Sequence, residues 1–450
     1  MSKKHSLDMT TGPFLGKILV FALPLILTGL LQLVYNTADV VVVGHFAGRE
    51  SLAAVGSTGS LVNLLLNVFI GLSTGSGVIA ARYIGAGDSA AVHRCAHTAM
   101  TVGAICGVLV ALLGYFMSGR FLVMMKAPED VLGLATLYLK IYFLGAPGSL
   151  VFNFGASLVR AAGDTRRPLY ILTFTGLINV ALNLLLVIEF GLGVSGVAIA
   201  TIVSQYISAV LIVILLLKSN TPCRIFPREM RIHKKELGEI LAIGLPAGIQ
   251  GSLFSISNVI IQSTVNSFGS VAMAGIAAGS NCDSYIYTCT NAVAQTTMTF
   301  SSQNLGAKKY ENIRKVYALC LIITVIIGVS MGAAGYAFRV PIIRLFSSDA
   351  EVIAIGADRL KLIMPFYFFC SLMDVGASQL RGMGRSLEPM IISLLGGCGI
   401  RILWIFVFLP LAPTLTNLYW SYPISWTITF FAHLVFYFAI RNKVKRLCET

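Results

Sequence analysis

The sequence predicts an all-α integral membrane protein of twelve transmembrane helices in two pseudo-symmetric six-helix bundles. Three observations lead there. Of the 450 residues, 56% are hydrophobic and only 12% charged, with a mean hydropathy of +0.82, whereas a soluble domain carries roughly 25% charged residues. Apolar runs recur at the length that spans a bilayer, ~20 residues each. Finally, the first half of the chain reappears in the second. Shifted by 222 positions, Leu23-Pro24 falls on Leu245-Pro246, and Gly29, Leu31, Asn36 and Phe46 fall on Gly251, Leu253, Asn258 and Phe268. After a one-residue deletion the shift becomes 221. Gly85-Ala86 then meets Gly306-Ala307, and Gly155-Ala156-Ser157 with Arg160, Gly163 and Pro168 meets Gly376-Ala377-Ser378 with Arg381, Gly384 and Pro389. Paired bundles in one membrane chain suit a carrier whose halves rock to expose a site alternately.

The spans are expected near 15–45, 52–81, 91–117, 130–159, 168–189, 194–217, 237–267, 271–302, 313–338, 351–380, 389–410 and 417–440. The polar stretch Met1 to Pro13 precedes an apolar run too long for a signal-peptide core and without a small-residue cleavage site, so a retained first span is expected. Several spans exceed the minimum length, which implies tilt or helix continuing past the hydrocarbon. Glycine and proline inside them are tolerated because neighbouring helices satisfy the backbone and small residues permit close approach. Six spans per half is an even number, so both halves enter from the same side, the parallel-repeat case. The expected organisation is an N-lobe at 1–217, a linker at 218–236 containing Pro222 and Pro227, and a C-lobe at 237–450.

Charge sets the orientation. Most of the 33 lysines and arginines fall in segments on one side, among them Lys3, Lys4, Arg82, Arg94, Lys218 to Lys235, Lys308, Lys309, Arg314, Arg441 and Lys445. The opposite loops hold Arg49, Arg120, Lys126, Arg339 and Arg344. The positive-inside rule then places both termini in the cytoplasm of a multi-pass cell-membrane protein. The same bias accounts for the net charge of +14 without a nucleic-acid partner.

Other classes fit poorly. Nine cysteines are an odd number without CxxC spacing, which favours core packing over disulfides or metal. The histidines His5, His45, His93, His97, His233 and His433 are scattered and no phosphate-binding glycine loop occurs, so neither an enzyme nor a cofactor is expected. Nothing suggests the ring of equivalent filter segments of a channel. The loop Arg82-Tyr-Ile-Gly-Ala-Gly-Asp88 lacks the acidic-arginine signature of major-facilitator carriers.

Ionisable residues at membrane depth are functional candidates because their desolvation is expensive. Asp39 stands in an apolar run, with Asn36, Tyr35 and Gln32 at i−3, i−4 and i−7 on one helical face. Asn179 and Asn183 share a face of the fifth span, and Thr201 and Gln205 a face of the sixth. A carboxylate surrounded by amide and hydroxyl oxygens can hold a proton or a dehydrated Na⁺, since hard cations take oxygen ligands. Interhelical hydrogen bonding is the plainer alternative, worth ~0.6 kcal/mol on average. The repeat separates the two readings: Asn36 has a counterpart in Asn258, but Asp39 falls on Ile261 and Asn179 on Ile400. The cluster therefore belongs to one half only, which favours a cation site. In the second half, Asp283 and Asp374 are either a second set of substrate- or ion-binding acids or members of a neutralising pair with Arg401. Lys140 and Lys361, repeat partners, can snorkel.

The whole chain, from about Pro13 to Arg446, resembles the multidrug and toxic-compound extrusion (MATE) family. The resemblance rests on Ala22-Leu23-Pro24, on Asp39 followed by Gly44, and on Arg160-Ala-Ala-Gly-Asp-Thr-Arg-Arg-Pro168. It rests also on Asn179-x-x-x-Asn183 and Gly193-Val-Ser-Gly-Val-Ala-Ile-Ala-Thr201. It implies a V-shaped antiporter exporting organic, lipophilic cationic compounds in exchange for H⁺ or Na⁺. By position it implies a cation site at Asp39, Asn179, Asn183 and Thr201 with Gln32 alongside, and a C-lobe acid at Asp374. Apart from the resemblance, Pro24 removes a backbone hydrogen bond and so marks a hinge where the first span can bend. Many members have Asp where this chain has Asn183, and the acid of some members' seventh span is absent from 245–267. The expected partners are small organic substrates and the lipid bilayer, with the chain acting as a monomer. A lipid-linked oligosaccharide flippase of the same superfamily is the alternative, although the few, mixed midmembrane charges argue against a polyanionic cargo.

Overall fold

The structure, a computed structural model, describes residues 7–125 and 129–449. Lys3, Lys4 and Lys126 of the charge pattern lie outside the described residues, as does the side chain of Arg49. The described chain is helical, without a strand. The helices are α1 (Phe14–Ala47), α2 (Gly48–Ala86), α3 (Ser89–Met124), α4 (Glu129–Leu144), α5 (Ala146–Ala161), α6 (Arg166–Glu189) and α7 (Gly193–Leu217). After the linker follow α8 (Lys234–Asn266), α9 (Ser270–Gly306), α10 (Tyr310–Ala337), α11 (Ala350–Gly382), α12 (Leu387–Leu411) and α13 (Leu415–Glu449). Ten of these are long and apolar enough to cross a membrane. An eleventh span is the bent pair α4–α5, broken by 45° at Gly145.

The twelfth is α9. It is a 37-residue helix but does not stand with the apolar ten, because Asn281, Asp283, Thr288, Asn291 and Gln295 dilute it. Its hydroxyls are absorbed locally: Thr288, Thr290, Thr296 and Thr297 each donate to the carbonyl four residues back. Such back-bonding lets a polar sequence lie in an apolar medium.

The described residues form two compact units. One contains residues 27–248 and the other residues 9–26 with 249–450. The boundaries fall inside α1 and α8, a few residues past the repeat partners Pro24 and Pro246. The lobes expected at 1–217 and 237–450 follow the sequence repeat, whereas the compact units follow packing.

In the first unit the opening of α8 packs on α2 through small residues. A Cβ on Gly71 would lie 2.3 Å from Gly248 N, and one on Gly75 would lie 2.6 Å from Ile240 O. Gly71-x-x-x-Gly75 and Gly244-x-x-x-Gly248 thus let two backbones touch. Arg94 pairs with the buried Glu236 at 2.6 Å, and the Tyr83 hydroxyl donates to Glu239 at 2.8 Å. The linker is fastened to the same unit. Phe226 N–H donates to His97 Nε2 at 2.9 Å and His233 N–H to Thr98 Oγ1 at 3.0 Å.

In the second unit the opening of α1 takes the corresponding place beside α9. Phe21 and Phe300 meet edge-to-face at 5.5 Å, and Asn304 Nδ2 donates to Met9 O at 2.8 Å.

Candidate cation site and the acids of the second lobe

The candidate cation site is assembled within the first unit by α1 and α6. Asp39 lies on the last α-helical turns of α1, just before a π-helical turn at Val43–Ala47. Asn183 lies just before a second such turn at Leu185–Glu189. These turns disturb the regular hydrogen-bond ladder and are frequent at functional sites. Asn183 Nδ2 donates to Asp39 Oδ1, and also to Asn179 Oδ1 at 3.3 Å. Asn183 is 1% exposed, and its own Oδ1 is buried without a hydrogen-bond partner. Among the described residues Asp39 makes no ion pair.

The predicted residues converge to different degrees. Asp39, Asn183 and Asn179 form one hydrogen-bonded chain. Thr201 is half-buried and its hydroxyl donates to Val197 O at 2.9 Å on its own helix. Its oxygen lone pairs remain available as acceptors. Gln32 is exposed, as is Asn36. Pro24 is buried inside an unbroken α1.

Two tyrosines join the site without having been singled out from sequence. Tyr138 and Tyr142, one helical turn apart on α4, lie within electrostatic reach of Asp39. Their i, i+4 spacing was the available signal. Tyr35 of α1, already placed on the Asp39 face by its spacing, donates to Thr173 O at 3.2 Å. Its ring occupies the space a side chain would take at Gly176, where a Cβ would lie 1.9 Å from it.

Hard oxygen donors suit either occupant, a proton or Na⁺. A carboxylate, the orphaned Asn183 carbonyl oxygen and the Asn179 amide oxygen are of the type Na⁺ takes. Against a proton-loaded carboxyl, the same amides serve as hydrogen-bond partners.

The acids of the second unit are arranged otherwise. Asp283 of α9 is paired with Arg359 of α11, Oδ2 to Nη2, at 2.5 Å, with the arginine side chain 4% exposed. Tyr367 OH donates to Asp283 O at 3.1 Å. The neutralising arginine is therefore Arg359, and Arg401 is engaged elsewhere. Arg401 Nε donates to Ser425 Oγ at 2.9 Å, and its guanidinium lies 4.5 Å above the Tyr422 ring and 5.6 Å above that of Trp426. Asp374 of α11 feels the charge of Arg381 and lies within electrostatic reach of Tyr287. Arg381 in turn donates to Gln250 Oε1 at 2.6 Å. Arg359 stands in the sequence without any local sign of its partner, because pairing between residues 76 apart leaves no local pattern.

The family model described as MatE matches residues 24–185 and again residues 246–407. The chain belongs to the MatE family. The two matches begin at Pro24 and Pro246, the repeat partners read from the sequence. The probable multidrug resistance protein YoeA of Bacillus subtilis is 27% identical over 395 residues, covering 86% of this chain and 85% of its own. A FAD transporter of Shewanella oneidensis is 24% identical over 398 residues, covering 88% and 87%. Among solved structures, a MOP superfamily transporter from Pyrococcus furiosus superposes with a TM-score of 0.93 at 21% identity, over 99% of both chains. That likeness establishes the fold. The chain is a multi-pass membrane transporter of the MATE family, which moves small organic compounds.

Proposed function

We propose that this MATE transporter is a cation-coupled antiporter. It exports organic, lipophilic cationic compounds in exchange for H⁺ or Na⁺, from a cell membrane in which both termini face the cytoplasm. One observation carries the coupling: an intramembrane carboxylate, Asp39, is held by an amide hydrogen bond with no ion pair among the described residues. An isolated charge at membrane depth is expensive, so Asp39 requires a proton or a metal cation whenever its surroundings are dry. Losing that cation when water enters turns occupancy into a two-state signal. α1, with Pro24 lacking a backbone donor, is the element able to answer it by bending.

The relatives' names support the cargo class in part. YoeA is named for multidrug resistance, whereas the Shewanella relative is named for FAD. The experiment is transport in proteoliposomes under imposed pH or Na⁺ gradients, with cationic dyes and FAD assayed in parallel. Gradient-dependent movement of the dyes supports the proposal. Movement of FAD alone assigns a dinucleotide cargo, and movement independent of both gradients refutes coupling.

A further inference from the structure

We propose that the chain carries an anionic-phospholipid site in the cleft between the start of α10 and the end of α13, separate from the cation site. Both walls belong to the second unit, and the cleft has a volume of about 390 Å³. The sequence assigns this end of both helices to the membrane edge: Tyr310 opens α10, and the basic run through Arg441 and Lys445 closes α13.

The lining has two chemically distinct halves. Leu321 and Leu434 furnish the apolar part. Arg314, Arg441 and Lys445 line the other, against a single acid, Glu311, which lies 3.8 Å from Arg314. The excess is positive, and the open N–H groups of the first turn of α10 add to it. Arg441 is held in place with its guanidinium 5.1 Å over the Phe438 ring.

Between the halves stand Tyr317 and Tyr437, ring centroids 4.8 Å apart and each 4% exposed. The Tyr317 hydroxyl is buried in this wall and has no hydrogen-bond partner. A buried hydroxyl without a partner carries a desolvation penalty that a ligand oxygen would remove. Basic clefts between helices at the membrane edge suit lipid phosphates, and tyrosine favours this depth. Cations, a phenol donor and leucines in that order match phosphate, glycerol-ester oxygens and acyl chain. A soluble phosphate would leave the leucine wall unused.

Native mass spectrometry of the detergent-solubilised transporter with phosphatidylglycerol, and with phosphatidylcholine of the same chains, tests this. One retained phosphatidylglycerol per chain, outcompeting phosphatidylcholine, is expected. Arg314→Gln with Arg441→Gln should lower its retention by on the order of tenfold or more, and Tyr317→Phe by a few-fold. The control Lys315→Gln with Lys443→Gln removes as much charge from outside the cleft and should leave retention unchanged. Equal retention of the two lipids, or an equal loss in the control, would overturn the site. Displacement by millimolar glycerol 3-phosphate as effective as by lipid would overturn the lipid assignment. Should the double variant fail to fold, Tyr317→Phe, which keeps size and charge, decides the matter by itself.

Discussion

Asp39 in the first lobe and Asp283 in the second are both carboxylates at membrane depth, and their surroundings differ in one decisive respect. Asp283 meets an arginine 2.5 Å away, whereas Asp39 meets an amide and two distant phenols. A pair such as Asp283–Arg359 is neutral as built and has no need of an exchangeable cation; Asp39 is neutral only when something arrives. The same residue type is therefore a structural element in one lobe and a candidate switch in the other. The difference lies in a partner supplied by another helix.

The largest effect that can break this comparison is on transport. Asp39→Asn keeps the size and removes the charge, so gradient-driven export should fall to the level of protein-free vesicles while expression and thermal stability stay near wild type. Accumulation against a gradient at the wild-type rate would make Asp39 a structural acid. The coupling site would then have to be sought at Asp374, which feels the charge of Arg381 and the Tyr287 hydroxyl.

In the second lobe the order reverses, with stability suffering first. Asp283→Asn leaves Arg359 buried and unpaired, which costs about 3–5 kcal/mol. Replacing the pair together, as Asp283→Leu with Arg359→Met, should recover most of that, because a buried ion pair and a packed apolar pair are close in net energy. Thermal unfolding in detergent reads both. If Asp283→Asn instead abolishes export at unchanged stability, the pair is coupling machinery and the contrast between the lobes fails.

How much of this was legible beforehand follows from which signals are local. Span positions, the repeat and the membrane class were readable, because hydropathy and a fixed offset need no knowledge of packing. Even α9, too polar to stand with the apolar ten, falls where a span is expected at 271–302. Asp39, Asn179 and Asn183 were singled out because their charge or spacing is visible along one helix. Arg359 as the partner of Asp283 was not, and neither was the placing of Tyr138 and Tyr142 within electrostatic reach of Asp39, since these relations form between helices distant in sequence. The assignment of the opening residues of α1 and α8 to units other than those of their lobes has the same cause: packing, rather than chain order, decides it.

A substitution at Asn183 sharpens the comparison from the first lobe's side. Asn183→Asp places a second carboxylate against Asp39, and two like charges at that separation are relieved by a bound cation. The variant should depend more strongly on a Na⁺ gradient than wild type, at a given pH gradient. Dye efflux with the two gradients varied independently would register the change, and identical ion dependence would show that Asn183 does not face the coupling ion.

The smallest expected effect separates the lobes at a pair of repeat positions, Gly176 and Gly397. Each glycine lies against a ring from the first helix of its own lobe. A Cβ at Gly176 would meet three atoms along the Tyr35 ring at 1.9, 2.2 and 2.5 Å, whereas one at Gly397 would meet the tip of Phe254 at 2.8 Å. The Phe254 tip can swing aside. Tyr35 is tied by its hydroxyl to Thr173 O, so displacing it breaks that bond and shifts a residue one turn from Asp39. Gly176→Ala should thus cost ~1–3 kcal/mol by overpacking and slow export, while Gly397→Ala should cost less and leave the transport rate unchanged. Parallel melting curves and dye-efflux rates for the two variants measure the difference. Equal slowing in both would mean that this ring contact serves the fold alike in each lobe, and that the cation site does not depend on how Tyr35 is held.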